Sequence, residues 1–199
     1  MNTKLILIFF ILFTSSKCFS QDKSEIHTAN VTKITFLNPG ISYERSIARL
    51  QTLYAQVFMN TSATFSYSSS LGNNTKFYFD PALTIQYRYY YNGKRRFEKD
   101  KRIEMNSMNY FTSVYEAILS KRPFVTGVEE TNYRLINSFG VAWGFQRNYK
   151  KRFSLDLFFG LAVLFAKSTR TYPQTFQENV TQLAPMSQIN IGYWLNKKK

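Results

Sequence analysis

The chain has 199 residues, enough for one domain with a core of its own or for one small barrel. Aromatic residues make up 18% of it, with 14 Tyr and 19 Phe, and the net charge is +14. A mean hydropathy of -0.29 argues against a helical membrane protein, but a barrel with only alternate residues facing lipid can be that polar and still span.

The first residues read as an export signal. Lys4 supplies the positive start, Leu5 to Phe13 is unbroken apolar sequence, and Thr14 to Ser20 is a polar tail. Cleavage after Ser20 places the small residues Cys18 and Ser20 at the −3 and −1 positions and leaves Gln21 as the mature N-terminus. An anchor is disfavoured because the apolar run falls short of the ~20 residues of a spanning helix. A lipidated Cys18 is disfavoured by Lys17, where a small residue belongs. Cys18 is the only cysteine, so the mature chain, residues 21–199, holds neither disulfides nor cysteine metal sites. Two of the positive charges, Lys4 and Lys17, leave with the signal, and +12 remains.

Polar stretches then alternate with period-2 runs, which predict strands at about 32–47, 52–67, 76–91, 109–120, 134–147, 153–168 and 185–195. Successive strand residues point to opposite faces, so every second position lists one face. In 153–168 one face is Phe153, Leu155, Leu157, Phe159, Leu161, Val163 and Phe165; the other, mostly small, is Ser154, Asp156, Phe158, Gly160, Ala162, Leu164 and Ala166. In 134–147, Leu135, Phe139, Val141, Trp143 and Phe145 oppose Ser138, Gly140, Ala142, Gly144 and Gln146. Likewise Ile189, Ile191, Tyr193 and Leu195 oppose Gln188, Asn190 and Gly192, and Leu83, Ile85, Tyr87, Tyr89 and Tyr91 oppose Thr84, Gln86 and Arg88. One face is large and apolar; the other is small, amide-rich and sparsely charged. That contrast suits a membrane barrel with a crowded lumen better than a soluble sandwich.

Short links at 48–51 and 148–152 alternate with longer polar ones at 68–75, 121–133 and 169–184, as short periplasmic turns alternate with longer external loops in bacterial barrels. The charged link 92–108 must be periplasmic to keep the alternation, and it has room for a short helical turn. Seven strands leave one terminus on the wrong side, so an eighth is expected. It is either Ser24 to Thr35 or a split of the first strand at the turn-prone Asn38-Pro39-Gly40. The expected fold is therefore all-β: an antiparallel, up-and-down transmembrane β-barrel of eight strands.

The segments LNPGISYERSI (37–47), YRYYYNGKRR (87–96) and INIGYWLNKKK (189–199) resemble small outer-membrane β-barrel proteins of the Bacteroidetes kind. These carry an NPGxxYE entry strand, a tyrosine-rich strand running into a basic turn, and an aromatic closing strand. The resemblance implies an eight-stranded barrel in the outer membrane of a Gram-negative cell and no common activity.

Glu44, Arg88, Glu116 and Asp156 are the charged residues expected on the lumen face. Eight strands leave a lumen just wide enough for side chains to fill, so these charges are expected to pair with each other or with Gln56, Gln86, Gln146 and Asn190. A polar plug is the simpler reading; a proton or ion path is the functional one. Lys94, Arg95, Arg96, Lys99, Lys101, Arg102, Lys150, Lys151, Arg152 and Lys197 to Lys199 all fall at the periplasmic end. They read as a rim at anionic headgroups and not as a nucleic-acid surface, because the aromatics that would stack on bases are committed to lipid. The lone His27 lies outside the strands, and no GxSxG, Gly-rich phosphate loop or metal-spaced set occurs, so neither an enzyme nor a cofactor is expected. The expected partners are outer-membrane lipid, lipopolysaccharide and the barrel-insertion machinery. A narrow solute channel and a soluble secreted barrel for an apolar ligand stay open as alternatives.

Overall fold

The computed structural model describes residues 26–68, 72–121, 132–170 and 176–196, so the export segment 1–20 lies outside the described residues. The alternating runs form eight antiparallel strands: β1 (Val31–Thr35), β2 (Gly40–Ala48), β3 (Gln51–Ser68), β4 (Gly72–Tyr89), β5 (Asn109–Ser120), β6 (Arg134–Asn148), β7 (Phe153–Arg170) and β8 (Phe176–Trp194). Each pairs with its neighbour in sequence, and β1 closes the ring on β8 through Lys33 with Trp194, Ile34 with Tyr193 and Thr35 with Gly192. The missing eighth strand comes from the split at Asn38-Pro39-Gly40. Of the described part of the alternative stretch Ser24 to Thr35, only the last five residues are strand.

Parity decides the two faces. On β6 and β7 the odd residues Phe139, Val141, Phe159, Leu161 and Phe165 are exposed, whereas the even residues Gln146, Asp156 and Phe158 are buried. The same holds on β4, where Ile85, Tyr87 and Tyr89 face out and Thr84, Gln86 and Arg88 face in. A soluble β-protein of this size does the reverse with its large apolar residues.

Two of the expected loops are largely strand. β3 and β4 run on to Ser68 and Gly72, and β7 and β8 to Arg170 and Phe176, so 68–75 and 169–184 are mostly paired backbone. The physical reason is that a ladder, once registered on its neighbour, continues through Ser, Thr and Asn after the apolar alternation has faded. Residues 69–71, 122–131 and 171–175 are outside the described set.

The end at which β1 begins and β8 finishes is covered. The link 92–108 holds the short helix α1 (Gly93–Phe97) and a 3-10 turn (Glu104–Asn106). Met105 and Asn106 take positive φ, which turns the chain back over the mouth. Asn106 accepts from Ala29 N at 2.7 Å and donates to Ala29 O at 2.8 Å, which ties the segment before β1 across the same opening. Met105 O accepts hydrogen bonds from the side chains of Gln146 and Asn148, and Ile26, Thr28, Ser107 and Met108 are buried there.

Heights around the ring are unequal. Gly40, the first residue of β2, pairs with Phe58; among the described residues, β3 beyond that point pairs only with β4. β8 before Gly192 pairs in register only with β7. The wall therefore has a notch between β3 and β8, above the β1–β2 turn.

Candidate functional site

Inward parity on seven strands brings one charged cluster together above the covered end. Arg88 on β4 reaches across to Asp156 on β7, with Nη1 to Oδ2 at 2.8 Å, and both side chains are buried. The same Nη1 donates to Gln146 Oε1 at 2.9 Å, and Arg88 Nε to Gln86 Oε1 at 2.8 Å. Arg88 Cζ lies 3.8 Å from the ring centre of Tyr54 and 4.4 Å from that of Tyr110, so the guanidinium is sandwiched between two aromatic faces. Such contacts reach about 2 kcal/mol where water is excluded. Tyr110 in turn donates to Asp156 Oδ1 at 2.6 Å. Gly144 makes room for this tyrosine: a Cβ there would stand 2.6 Å from the Tyr110 ring.

Glu44 on β2 is held as closely. Its Oε1 accepts from Thr52 at 2.7 Å and from Tyr90 at 2.5 Å, and its Oε2 accepts from Gln146 Nε2 at 3.0 Å. Gln146 therefore links both halves of the cluster. The sequence reading missed Lys33, a second buried cation: its Nζ donates to Gln146 Oε1 at 2.5 Å and lies 3.6 Å from Asp156. The signal was present, because a turn at 38–40 pairs Lys33 with Ser42, on the same face as Glu44. Two cations thus face two carboxylates.

Glu116 does not join them, which corrects the expectation of a single network with Glu44, Arg88 and Asp156. It pairs with Thr84, whereas Arg88 pairs with Thr112, four residues earlier on β5. That is about 13 Å along the strand at ~3.3 Å per residue. Parity fixes the face but not the height.

Above the charges lies an amide layer. Gln56 donates to Thr35 at 3.2 Å and accepts from Asn190 and Gln188 at 3.2 Å each, joining β1, β3 and β8. Higher still the lumen turns apolar and opens into a cavity of about 520 Å³, lined among others by Phe58, Glu116, Ile118, Ile136, Phe158 and Met186.

The basic residues of 94–102 and 150–152 sit at the covered end on α1, the following link and the β6–β7 turn, while 197–199 lie outside the described residues. Arg102 ties this rim to the barrel, donating to Asn148 O at 2.7 Å and pairing with Glu104 at 2.5 Å. Among the described residues no cluster of His, Cys, Asp and Glu has the makings of a metal site, and no helix is long and apolar enough to cross a membrane. Comparison with family models, curated proteins and solved structures finds no match.

Proposed function

We propose that the chain is a non-enzymatic barrel of a Gram-negative outer membrane, related to the Bacteroidetes-type barrels it resembles. Its wall is scaffold, and specific contacts are made by the end opposite the covered mouth. The observation that carries this reading is the inverted polarity. Val141 and Leu161 expose 66% and 55% of their surface while Arg88 and Glu44 expose none. Water-soluble monomers rarely leave an apolar patch beyond a few hundred Å² uncovered, and here such a surface encircles the molecule. Lipid is the solvent that matches it, and a closed ring is one of the two ways a backbone can satisfy itself there.

The lumen supports a plug over a channel. Arg88 to Asp156, Lys33 to Gln146 and Glu44 to Gln146 each cross the bore between strands that are not neighbours. Breaking them to admit a solute would strand buried charge, at about 3–5 kcal/mol for each lost partner. The basic rim suits anionic headgroups on the periplasmic side. Partners on this reading are lipid, lipopolysaccharide and the insertion machinery. Fractionation of cells expressing the full chain tests it. The mature protein, beginning at Gln21, is expected in the outer membrane as a heat-modifiable band; recovery in the soluble periplasm contradicts it.

A further inference from the structure

The notch and the cavity are one feature. The sill of the notch is the β1–β2 turn, where Asn38 bridges the two free edges: its Nδ2 donates to Ile189 O on β8 at 3.0 Å, and its Oδ1 receives a longer contact from Thr61 N on β3 at 3.5 Å. Phe36 N to Ile191 O at 2.7 Å and Met59 N to Pro39 O at 2.8 Å complete the sill. Above it the edges lie open, and on β8 that edge includes Pro185, a residue with no N–H to leave unpaired.

Through the notch lies the cavity, whose apolar far wall is accompanied by polar side chains, among them Asn60, Thr61, Ser138 and Ser187. Leu37, Pro185 and Ile189 line its outer side at the notch, and Ile118, Ile136 and Phe158 line its far wall. At about 520 Å³ it falls within the ~300–1,000 Å³ range of small-molecule sites. On its other edge this part of β8 pairs, from Ile189 to Thr181, with Leu157 to Phe165 on β7, whose odd residues form the apolar outer face. On the membrane reading, on which this inference rests, the notch therefore opens sideways into lipid.

A second observation points to a ligand. Gln188, 8% exposed, lines the cavity next to the amide layer, and its Nε2 is engaged with Gln56 and Asn190. Its Oε1 is buried without a hydrogen-bond partner. An orphan acceptor of this kind costs about 1–3 kcal/mol and favours a donor brought from outside. The Ser138 hydroxyl lines the same space.

The geometry points to a binding site for a single-chain amphiphile: a head group that donates hydrogen bonds sits at Gln188, and the hydrocarbon chain runs along the apolar wall and leaves through the notch into the bilayer. Hydroxyl, amide and ammonium heads share the required chemistry. The barrel then takes its ligand from the membrane and not from solution.

The test uses the full mature chain refolded into phosphatidylcholine vesicles that contain a long-chain alcohol carrying a diazirine on its chain. After irradiation, adducts are located by tandem mass spectrometry. Adducts are expected on Ile118, Ile136 or Met186 and on the sill at Leu37, besides those on outward residues such as Phe159 and Leu161. Gln188→Leu should lower lumen labelling about fivefold, the worth of one hydrogen bond. Ile118→Trp and Ala162→Leu, which fill the cavity from two strands, should abolish it, with a heat-modifiable band showing that each variant folds. Outward adducts without lumen adducts overturn the inference and leave the membrane reading standing. Lumen adducts undiminished by both filling variants overturn it too. Absence of outward adducts overturns the membrane reading and the inference with it.

Discussion

Arg88 carries more of the lumen than any other residue. It has an ion pair, two amide acceptors and two aromatic faces, so its loss leaves Asp156 with the Tyr110 hydroxyl and with Lys33, 3.6 Å away, as its remaining cation. Arg88→Met should lower stability by about 3–5 kcal/mol, read as a fall in the urea midpoint of the refolded barrel. Adding Asp156→Leu should return part of that loss, because the second change removes the uncompensated carboxylate. A double variant weaker than the sum of the singles would show that the pair is not coupled as described. At this scale the sequence was half legible. Parity on confident strands gave Glu44, Arg88 and Asp156 their inward direction, whereas Lys33 stayed hidden because its strand was not separable from β2 until the turn at 38–40 was fixed. Glu116 was misgrouped for another reason. Alternation says nothing of how far along the bore a residue lies, and strand offsets set by turns decide that.

Among elements, the strands and the covering link make separate demands. The outward face of β7 is tested by Leu161→Arg, which on the membrane reading costs about 2–4 kcal/mol near the midplane. Ala162→Ser, one residue on and pointing into the lumen, should shift the urea midpoint little. Equal effects would mean that the two faces are exchanged or equivalent. The link is tested at Asn106, whose side chain makes two bonds to Ala29 and whose backbone adopts a φ of 61°, a conformation Asn accepts better than Ala. Asn106→Ala should cost about 1–3 kcal/mol and speed proteolysis before β1 without changing strand content by circular dichroism. Fast cleavage there in the parent chain would show that the segment is not tied down. The strands were legible because one period ran through each of them. The starts of β4 and β8 were not, since those ends pair through polar residues that look like loop in sequence.

For the whole molecule, the arrangement is an inside-out protein: charge and amides within, Leu, Phe, Val and Tyr without. Eight strands in sequence order need only hairpin connections, which is why a chain of this length can close a ring with every neighbour antiparallel. That topology followed from counting strands and demanding an even number; the notch did not, because it arises from β1 and β2 being short where β3 and β8 are long. On the proposed reading the outer face meets lipid, and the two tryptophans report on it from opposite sides. Trp143 lies on the outer face of β6, against Phe159 on β7 at 5.4 Å, whereas Trp194 is 1% exposed and donates to Tyr149 O at 3.0 Å. The decisive measurement is tryptophan fluorescence of the chain refolded into vesicles whose acyl chains carry bromine, with Trp194→Phe and Trp143→Phe variants to separate the signals. Strong quenching of Trp143 and little of Trp194 is expected. Trp143 emission unchanged by brominated lipid would contradict the proposed reading.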